Sequence, residues 1–293
     1  MKLKTNLQLI NAAEKFCHIH HKDPLLALEI LYFLSSKIKN LIDYVELMHQ
    51  PIDVNQTDYQ TILNQVCLQN IPLARIFKKT YFYHRLFIVN DQVFIPRQET
   101  ELVVKTLIDQ IKNYHLENDT YLDLCTGTGI IAITTKLAIP QLKEVVAVDL
   151  STHACINARI NCEQHQTAIK VIEADWYQFL LKHHSFDIIS ANFPYVGIND
   201  PIANNLLANE PHLALFAEND GWSFYQLLLD FLSTYEKQSK WKIVVLETSA
   251  YHYKQWAKVQ QQFKNWDFEL IYDFNQHLRV VVIRSSLLKN QLL

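Results

Sequence analysis

From Tyr121 onward, β-prone runs and helical stretches alternate, and this alternation limits the possible fold more than any other feature of the chain. The strand runs are YLDLC, EVVAVDL, AIKVIEAD, FDIISAN and KIVVLET, with helical periodicity over 129–138, from 152 and after Gly221. Such a chain builds a parallel sheet covered on both faces by its helices. The pattern breaks only at the end. There DFELIYDF and HLRVVVIR are separated by the Asn275-Gln276 region, too short for a crossover helix, so these two runs are expected to pair antiparallel.

The first 76 residues are different, with helical periodicity and no convincing strand. Asp23-Pro24 reads as a helix start, the carboxylate capping and the proline in the first turn, followed by the apolar stripe of LLALEILYFLSSKI. A further helix is expected from roughly Thr57 to Gln69, and the helical part ends near Ile71-Pro72. In YFYHRLFIVNDQVFI (81–95) two β-prone runs flank Asn90-Asp91, which predicts a hairpin turning at that pair. Pro96-Arg97 then stops the strand, and Leu102, Val103, Leu107 and Ile111 mark one face of the next helix. The expected organisation is a helical domain over 1–76, a hairpin linker over 77–97 and an α/β domain over 98–293.

Composition removes several functional classes. The five cysteines (Cys17, Cys67, Cys125, Cys155, Cys162) are odd in number, scattered and without a CxxC pair, which points to reduced thiols rather than disulfides or a zinc site. The pairs His20-His21 and His183-His184 lack partners at metal-ligand spacing and read as solvent-exposed, so no metal is expected. With 49% hydrophobic against 19% charged residues there is still no apolar run of bilayer length. The N-terminal MKLKTNLQLINAAEKF lacks an apolar core and a cleavage site, so no secretory signal is expected and the protein is placed in the cytoplasm, as a monomer. A net charge of −3 without a long basic run weighs against nucleic acid as a partner.

Only four glycines occur, and two of them share the run Asp123-Leu124-Cys125-Thr126-Gly127-Thr128-Gly129 between the first strand and its helix. Glycines there let backbone N–H groups and a helix N-terminus face a polar ligand. Asp149 ends the next strand twenty positions after Gly129, the spacing of an acid that accepts ribose hydroxyls. Asp175-Trp176, after the third strand, offers a carboxylate and a ring to the edge and face of an adenine. Loop and acid alone fit a nicotinamide dinucleotide as well as S-adenosylmethionine.

Asn192-Phe193-Pro194-Tyr195 favours the second. A neutral amide or exocyclic amine is a poor nucleophile because its lone pair is delocalised, and it must therefore be aligned. At the C-terminal end of FDIISA, the Asn192 side-chain oxygen and the Phe193 carbonyl can each accept one hydrogen of an NH₂ group, aiming its nitrogen at a methyl donor. Tyr195 can stack on the planar group, and Pro194 stiffens the turn.

The ordered set IPRQETE (95–101), DLCTGTG (123–129), AVDLS (147–151), ADW (174–176), NFPY (192–195) and EPHLALF (210–216) resembles the HemK/PrmC family, the protein-(glutamine-N5) methyltransferases of peptide chain release factors. The resemblance covers about Ile71 to Arg284. It implies the class I methyltransferase form of the Rossmann-like α/β fold, a seven-stranded sheet with a C-terminal antiparallel hairpin, and a substrate-recognising N-terminal domain. It also implies S-adenosylmethionine held by Cys125, Thr126, Gly127, Thr128, Gly129, Asp149, Trp176 and Asn192. The glutamine of the release factors' Gly-Gly-Gln motif would be held by Asn192, Phe193, Pro194 and Tyr195. Glu99, Glu101 and Glu210 fit the mouth of the site, with helix capping an equal reading for the first two, and their roles stay open outside the predicted site. The sequence departs from the family pattern at four points. Phe193 replaces the first proline of Asn-Pro-Pro-Tyr, Gln98 a proline, and Lys78 a glycine; Cys125 also stands where glycine is frequent. Two other functions fit part of these motifs: a nucleic-acid amino methyltransferase (adenine N6 or guanine N2), and a degenerate cofactor-binding protein whose pocket Phe193 has closed.

Overall fold

The computed structural model describes residues 5–35, 45–46, 48–200, 204–239 and 241–289. The chain divides into two compact units, Met1–Lys78 and Lys79–Leu293. In the first, α1 (Asn6–Ile19), α2 (Leu25–Leu34), α3 (Gln56–Gln69) and α4 (Leu73–Phe77) pack around one small core. Helix α1 contributes Leu9, Ile10, Ala13 and Cys17 from one face, and α3 contributes Tyr59, Ile62, Leu63 and Val66. Caps fix the starts: Asp23 Oδ1 accepts from Leu25 N at 2.9 Å, and Asn55 Oδ1 from Thr57 N at 2.8 Å. The last part of the apolar stripe expected after Asp23-Pro24, residues 36–38, lies outside the described residues. Lys78 ends α4 at φ 55°, ψ 28°, the left-handed conformation for which a glycine would be preferred.

The second unit opens with an antiparallel hairpin, β1 (Lys79–Phe82) and β2 (Arg85–Ile88). Its turn lies at Tyr83 and His84, not at Asn90-Asp91. Both turn residues are left-handed, φ 47° and 61°, which matches the twist of the paired strands. Glu101 Oε1 accepts the Tyr83 N–H at 2.8 Å, stabilising a turn whose residues have no preference for it. Beyond the turn, side chains rather than a strand take over the free edge of β2. Asn161 Oδ1 accepts from Ile88 N at 2.8 Å and Asn157 Oδ1 from Asn90 N at 2.7 Å, while both amide Nδ2 groups donate to Ile88 O. The chain therefore leaves Asn90 as an irregular segment with Val93 and Ile95 buried.

The main sheet has seven strands: β3 (Thr120–Leu124), β4 (Glu144–Asp149), β5 (Lys170–Glu173), β6 (Ile188–Ala191), β7 (Ile243–Glu247), β8 (Asp267–Tyr272) and β9 (Leu278–Arg284). Their order is β5-β4-β3-β6-β7-β9-β8, with β3 to β7 parallel and β9 antiparallel to both β7 and β8. The expected parallel sheet with an antiparallel finish is what forms. Between the strands run α5 (Thr100–Asn113), α6 (Ile130–Ala138), α7 (Thr152–Gln164), α8 (Trp176–Lys182), α9 (Ser223–Ser239) and α10 (Tyr253–Gln262). Alternate strand residues feed two cores. Leu122, Val146, Ile189 and Val244 pack on one face, and Tyr121, Val145, Ile188 and Val245 on the other. Strand order reverses between β3 and β6, so the crevice at their carboxyl ends is where a ligand of such a sheet binds.

Candidate active site

The loop after β3 is built on a buried carboxyl. Asp123 accepts from Ser190 Oγ at 2.5 Å and from Thr126 Oγ1 at 2.6 Å, and burial pushes it up to about 6 against the lowering effect of these bonds. Three residues of the loop are left-handed: Cys125 at φ 53°, Gly127 at 56° and Gly129 at 79°. The first accounts for the frequency of glycine at that position. A Cβ on Gly127 would meet nothing within 4 Å, so its backbone faces open space. A Cβ on Gly129 would lie 3.1 Å from Ile133 Cδ1 and 3.2 Å from Ala158 Cβ, so this glycine serves the packing of α6 on α7.

Asp149 closes the loop from the neighbouring strand. Its Oδ2 accepts from Gly127 N at 2.8 Å and its Oδ1 from Ser151 N at 2.9 Å, with the Leu150 amide a further donor, and the carboxylate keeps acceptor capacity for a ligand hydroxyl. Burial raises its pKa in spite of those bonds. The Cys125 thiol is held well above its usual range, by burial first and then by the charges of Asp149, Asp123 and Asp175, so it is not a nucleophile.

Across the strand reversal, the segment after β6 carries Asn192 to Tyr195. Phe193 is 1% exposed and its ring packs on Trp176 at 4.9 Å, Phe224 at 5.6 Å and Tyr225 at 5.7 Å between centroids. This aromatic cluster houses the bulky substituent beside the cavity. Asn192 Nδ2 donates to Thr100 Oγ1 at 3.5 Å, Thr100 Oγ1 donates to Glu247 Oε2 at 2.7 Å, and Tyr195 OH donates to Glu247 Oε1 at 3.3 Å. Glu247 is 2% exposed at the end of β7, and burial pushes it up to about 7 against the lowering effect of both hydroxyls. Tyr195 stays a neutral phenol, since burial and Glu247 push it far above its ordinary value.

Two further contacts fix this segment. Val196 N donates to Leu215 O at 3.0 Å and Ala217 N to Val196 O at 2.9 Å, tying it to EPHLALF. Gly221, at φ 80° after the left-handed Asn219 and Asp220, lies so close to Tyr195 that a Cβ would stand 2.0 Å from the Tyr195 carbonyl oxygen. Glu210 holds the mouth, accepting from Ile95 N at 3.1 Å and pairing with Arg97. Glu101 serves the hairpin turn, and Glu99, at the start of α5, makes no side-chain cap bond.

Cys125, Thr126, Gly127, Thr128, Asp149, Trp176, Asn192, Phe193, Pro194 and Tyr195 all line one cavity of about 300 Å³, the size that holds a small-molecule ligand. Gly129 does not line it. The sequence reading missed Thr100, Phe94, Leu213 and Leu215, which line the same cavity, and Glu247 and Gly221 behind it. A glutamate at the carboxyl end of a parallel strand is the one signal that could have singled out Glu247. His21 and His183 are exposed, His20 and His184 partly so, and no group of metal-binding side chains exists among the described residues.

Comparison with known proteins adds a family. Residues 89–213 match the Methyltransferase small domain. The chain is 33% identical over 227 residues to the release factor glutamine methyltransferase of Mycoplasma mycoides subsp. mycoides SC, covering 74% of this chain and 77% of that one. It is 31% identical to the release factor glutamine methyltransferase of Staphylococcus aureus, covering 82% and 85%. A bifunctional methyltransferase of Rickettsia bellii is 29% identical over 94% of this chain, which spans only 54% of that relative's length. Among solved structures, the catalytic domain of human Mettl16 in complex with MAT2A 3'UTR hairpin 1 superposes with a TM-score of 0.51 at 12% identity, covering 79% and 80%. That likeness speaks to the fold alone.

Proposed function

The chain belongs to the release factor glutamine methyltransferase family, and on that footing we propose that it methylates the side-chain amide nitrogen (N5) of the glutamine in the Gly-Gly-Gln motif of peptide chain release factors. The methyl donor is S-adenosylmethionine, which supplies an electrophilic methyl on a sulfonium. The residues of the cavity fit this group: an open backbone at Gly127, a carboxylate with spare lone pairs at Asp149, and the Trp176 side chain in the cavity wall. Cys125 to Thr128 and Asp149 hold the donor, Asp149 through the ribose hydroxyls, with Gly129 shaping the loop from behind.

The observation that carries the reading is the state of the Asn192 amide. Its Nδ2 faces Thr100 Oγ1 at 3.5 Å, which turns Oδ1 toward a ligand as the acceptor. With the Phe193 carbonyl, it receives both hydrogens of a primary amide and so orients the nitrogen. These two dipoles also stabilise the positive charge that develops on nitrogen as the new N–C bond forms. Tyr195, neutral and anchored through its hydroxyl, stacks on the flat amide. The surplus proton on the methylated nitrogen is strongly acidic and leaves without a dedicated base. The housing of Phe193 in the aromatic cluster argues against a closed pocket, and the net charge of −3 argues against a nucleic-acid substrate. The helical unit recognises the release factor, and the enzyme works as a monomer in the cytoplasm, where release factors act.

Incubation of the protein with a release factor and tritiated S-adenosylmethionine is expected to label the factor, and the label is lost when the motif glutamine is replaced by alanine. Persistent label in the replaced factor overturns the proposal. Asn192→Ala is expected to abolish most transfer while cofactor affinity falls only modestly.

A further inference from the structure

Resting on that reading of the site, we propose that Glu247 is a positioning residue for methyl transfer. Through the Thr100 hydroxyl at one end and the Tyr195 phenol at the other, it fixes how Asn192 and Tyr195 face the substrate amide. The argument is one of donors and acceptors. An ionised carboxylate only accepts, so the Thr100 hydroxyl hydrogen is drawn to Glu247 Oε2 at 2.7 Å. Toward Asn192, Thr100 Oγ1 then offers lone pairs alone. That selects the NH₂ end of the Asn192 amide, at 3.5 Å, and turns Oδ1 to the cavity. A donor in place of the carboxylate reverses the chain. Thr100 would accept from it and send its own hydrogen to Asn192, whose amide would turn its NH₂ toward the substrate NH₂, donor against donor.

The second carboxylate oxygen acts on the far end of the tetrad, accepting from Tyr195 OH at 3.3 Å. One side chain on β7 thus ties residues from the start of α5 and from both ends of the segment after β6. The groups acting on Glu247 from the packed elements are Glu99, which precedes α5, Thr100 at its first position, Tyr195 after β6 and Arg279 on β9; Tyr225 on α9 donates to the Glu247 carbonyl at 2.8 Å. Glu99 opposes its ionisation and Arg279 favours it. Burial sets it to about 7, so the acceptor-only form gains over the donor-bearing form across the neutral range.

The test is kinetic, on the full chain with a release factor and S-adenosylmethionine. Glu247→Gln and Thr100→Val are each expected to lower kcat about ten- to hundredfold, the effect of misdirecting one hydrogen bond in the transition state, with cofactor Kd changed less than about threefold. Thr100→Ser restores most of the rate lost in Thr100→Val. With Glu247 raised to about 7, the wild-type kcat is expected to rise with pH through about that value, and Glu247→Gln is expected to remove the rise. If Glu247→Gln fails to bind cofactor or to melt cooperatively, the Thr100 pair decides alone. An active wild type with an unchanged kcat in Thr100→Val, or with Thr100→Ser as impaired as Thr100→Val, overturns the role of Glu247 and leaves the substrate reading standing. A wild type that does not label the motif glutamine overturns both.

Discussion

Gly221 sits behind the transfer site, and replacing it with alanine tests whether the close approach to Tyr195 sets the geometry of the tetrad. The new Cβ would lie 2.0 Å from the Tyr195 carbonyl oxygen and 2.5 Å from its carbon, where real Cβ contacts stay beyond 3.0 Å. Both obstacles are backbone, so no rotamer change relieves the overlap, and the two segments must part by about 1 Å. On one side the chain is held by His252, whose Nε2 donates to Asp220 O at 3.0 Å; on the other, by the pairing of Val196 with residues 215–217. Overpacking of this kind costs roughly 1–3 kcal/mol, and a left-handed alanine adds about 1 kcal/mol. A loss of about 3 kcal/mol lowers Tm by roughly 6–12 °C for a protein of this size. A displacement of about 1 Å in positioning residues costs up to about a hundredfold in rate. Calorimetric melting together with radiometric transfer assays is expected to show both losses, while cofactor Kd is kept because the loop after β3 and Asp149 lie outside the clash. A Gly221→Ala variant that melts within about 3 °C of the wild type and keeps kcat within about threefold refutes the reasoning.

Asp149→Ala is expected to raise the Kd for S-adenosylmethionine by about tenfold or more, as lost charge-assisted bonds to the ribose would, and isothermal titration giving an unaltered Kd would show the ribose role to be wrong. The two buried carboxyls also give stability a definite pH dependence. Asp123 and Glu247 are raised in the folded protein, to about 6 and about 7, so each contribution is fully present below the unfolded carboxyl range and is lost as pH rises through the folded value. Urea titrations between about pH 4 and 8 should show Asp123→Asn losing less stability than the wild type as pH rises; parallel curves would contradict the origin given to the shift.

The parts of the molecule that follow local pattern were legible in the sequence. The five parallel strands, their helices, the closing antiparallel pair and the helix after Asn55 all came from periodicity and turn chemistry, which act over a few residues. The cofactor loop and the tetrad were legible because each is a contiguous run at the end of a strand. What escaped notice depends on partners distant in sequence. Glu247 reads as the end of an apolar strand until Thr100, 147 residues earlier, and Tyr195, 52 residues earlier, are placed beside it. The hairpin was assigned to Asn90-Asp91 by turn preference, but its turn at Tyr83 and His84 rests on the side chain of Glu101. Gly221 was read as the opening of a helix; its need for glycine comes from a carbonyl 26 residues away in the chain, at Tyr195.

The edge of β2 has a consequence for association between molecules. The outer row of backbone donors and acceptors on each strand of a two-stranded ribbon, here that of β2, invites a strand from another chain. Here Asn157 and Asn161, one turn apart on α7, occupy the Ile88 and Asn90 positions of that row, and Gln164 Nε2 adds a bond to Leu86 O at 2.5 Å. A helix thereby stands in for a neighbouring strand along β2, and that edge is closed to edge-to-edge growth. Losing those two amides would bare the edge of β2, and because Asn161 Nδ2 also donates to Thr128 O at 2.9 Å, the same side chain joins the covered edge to the loop after β3.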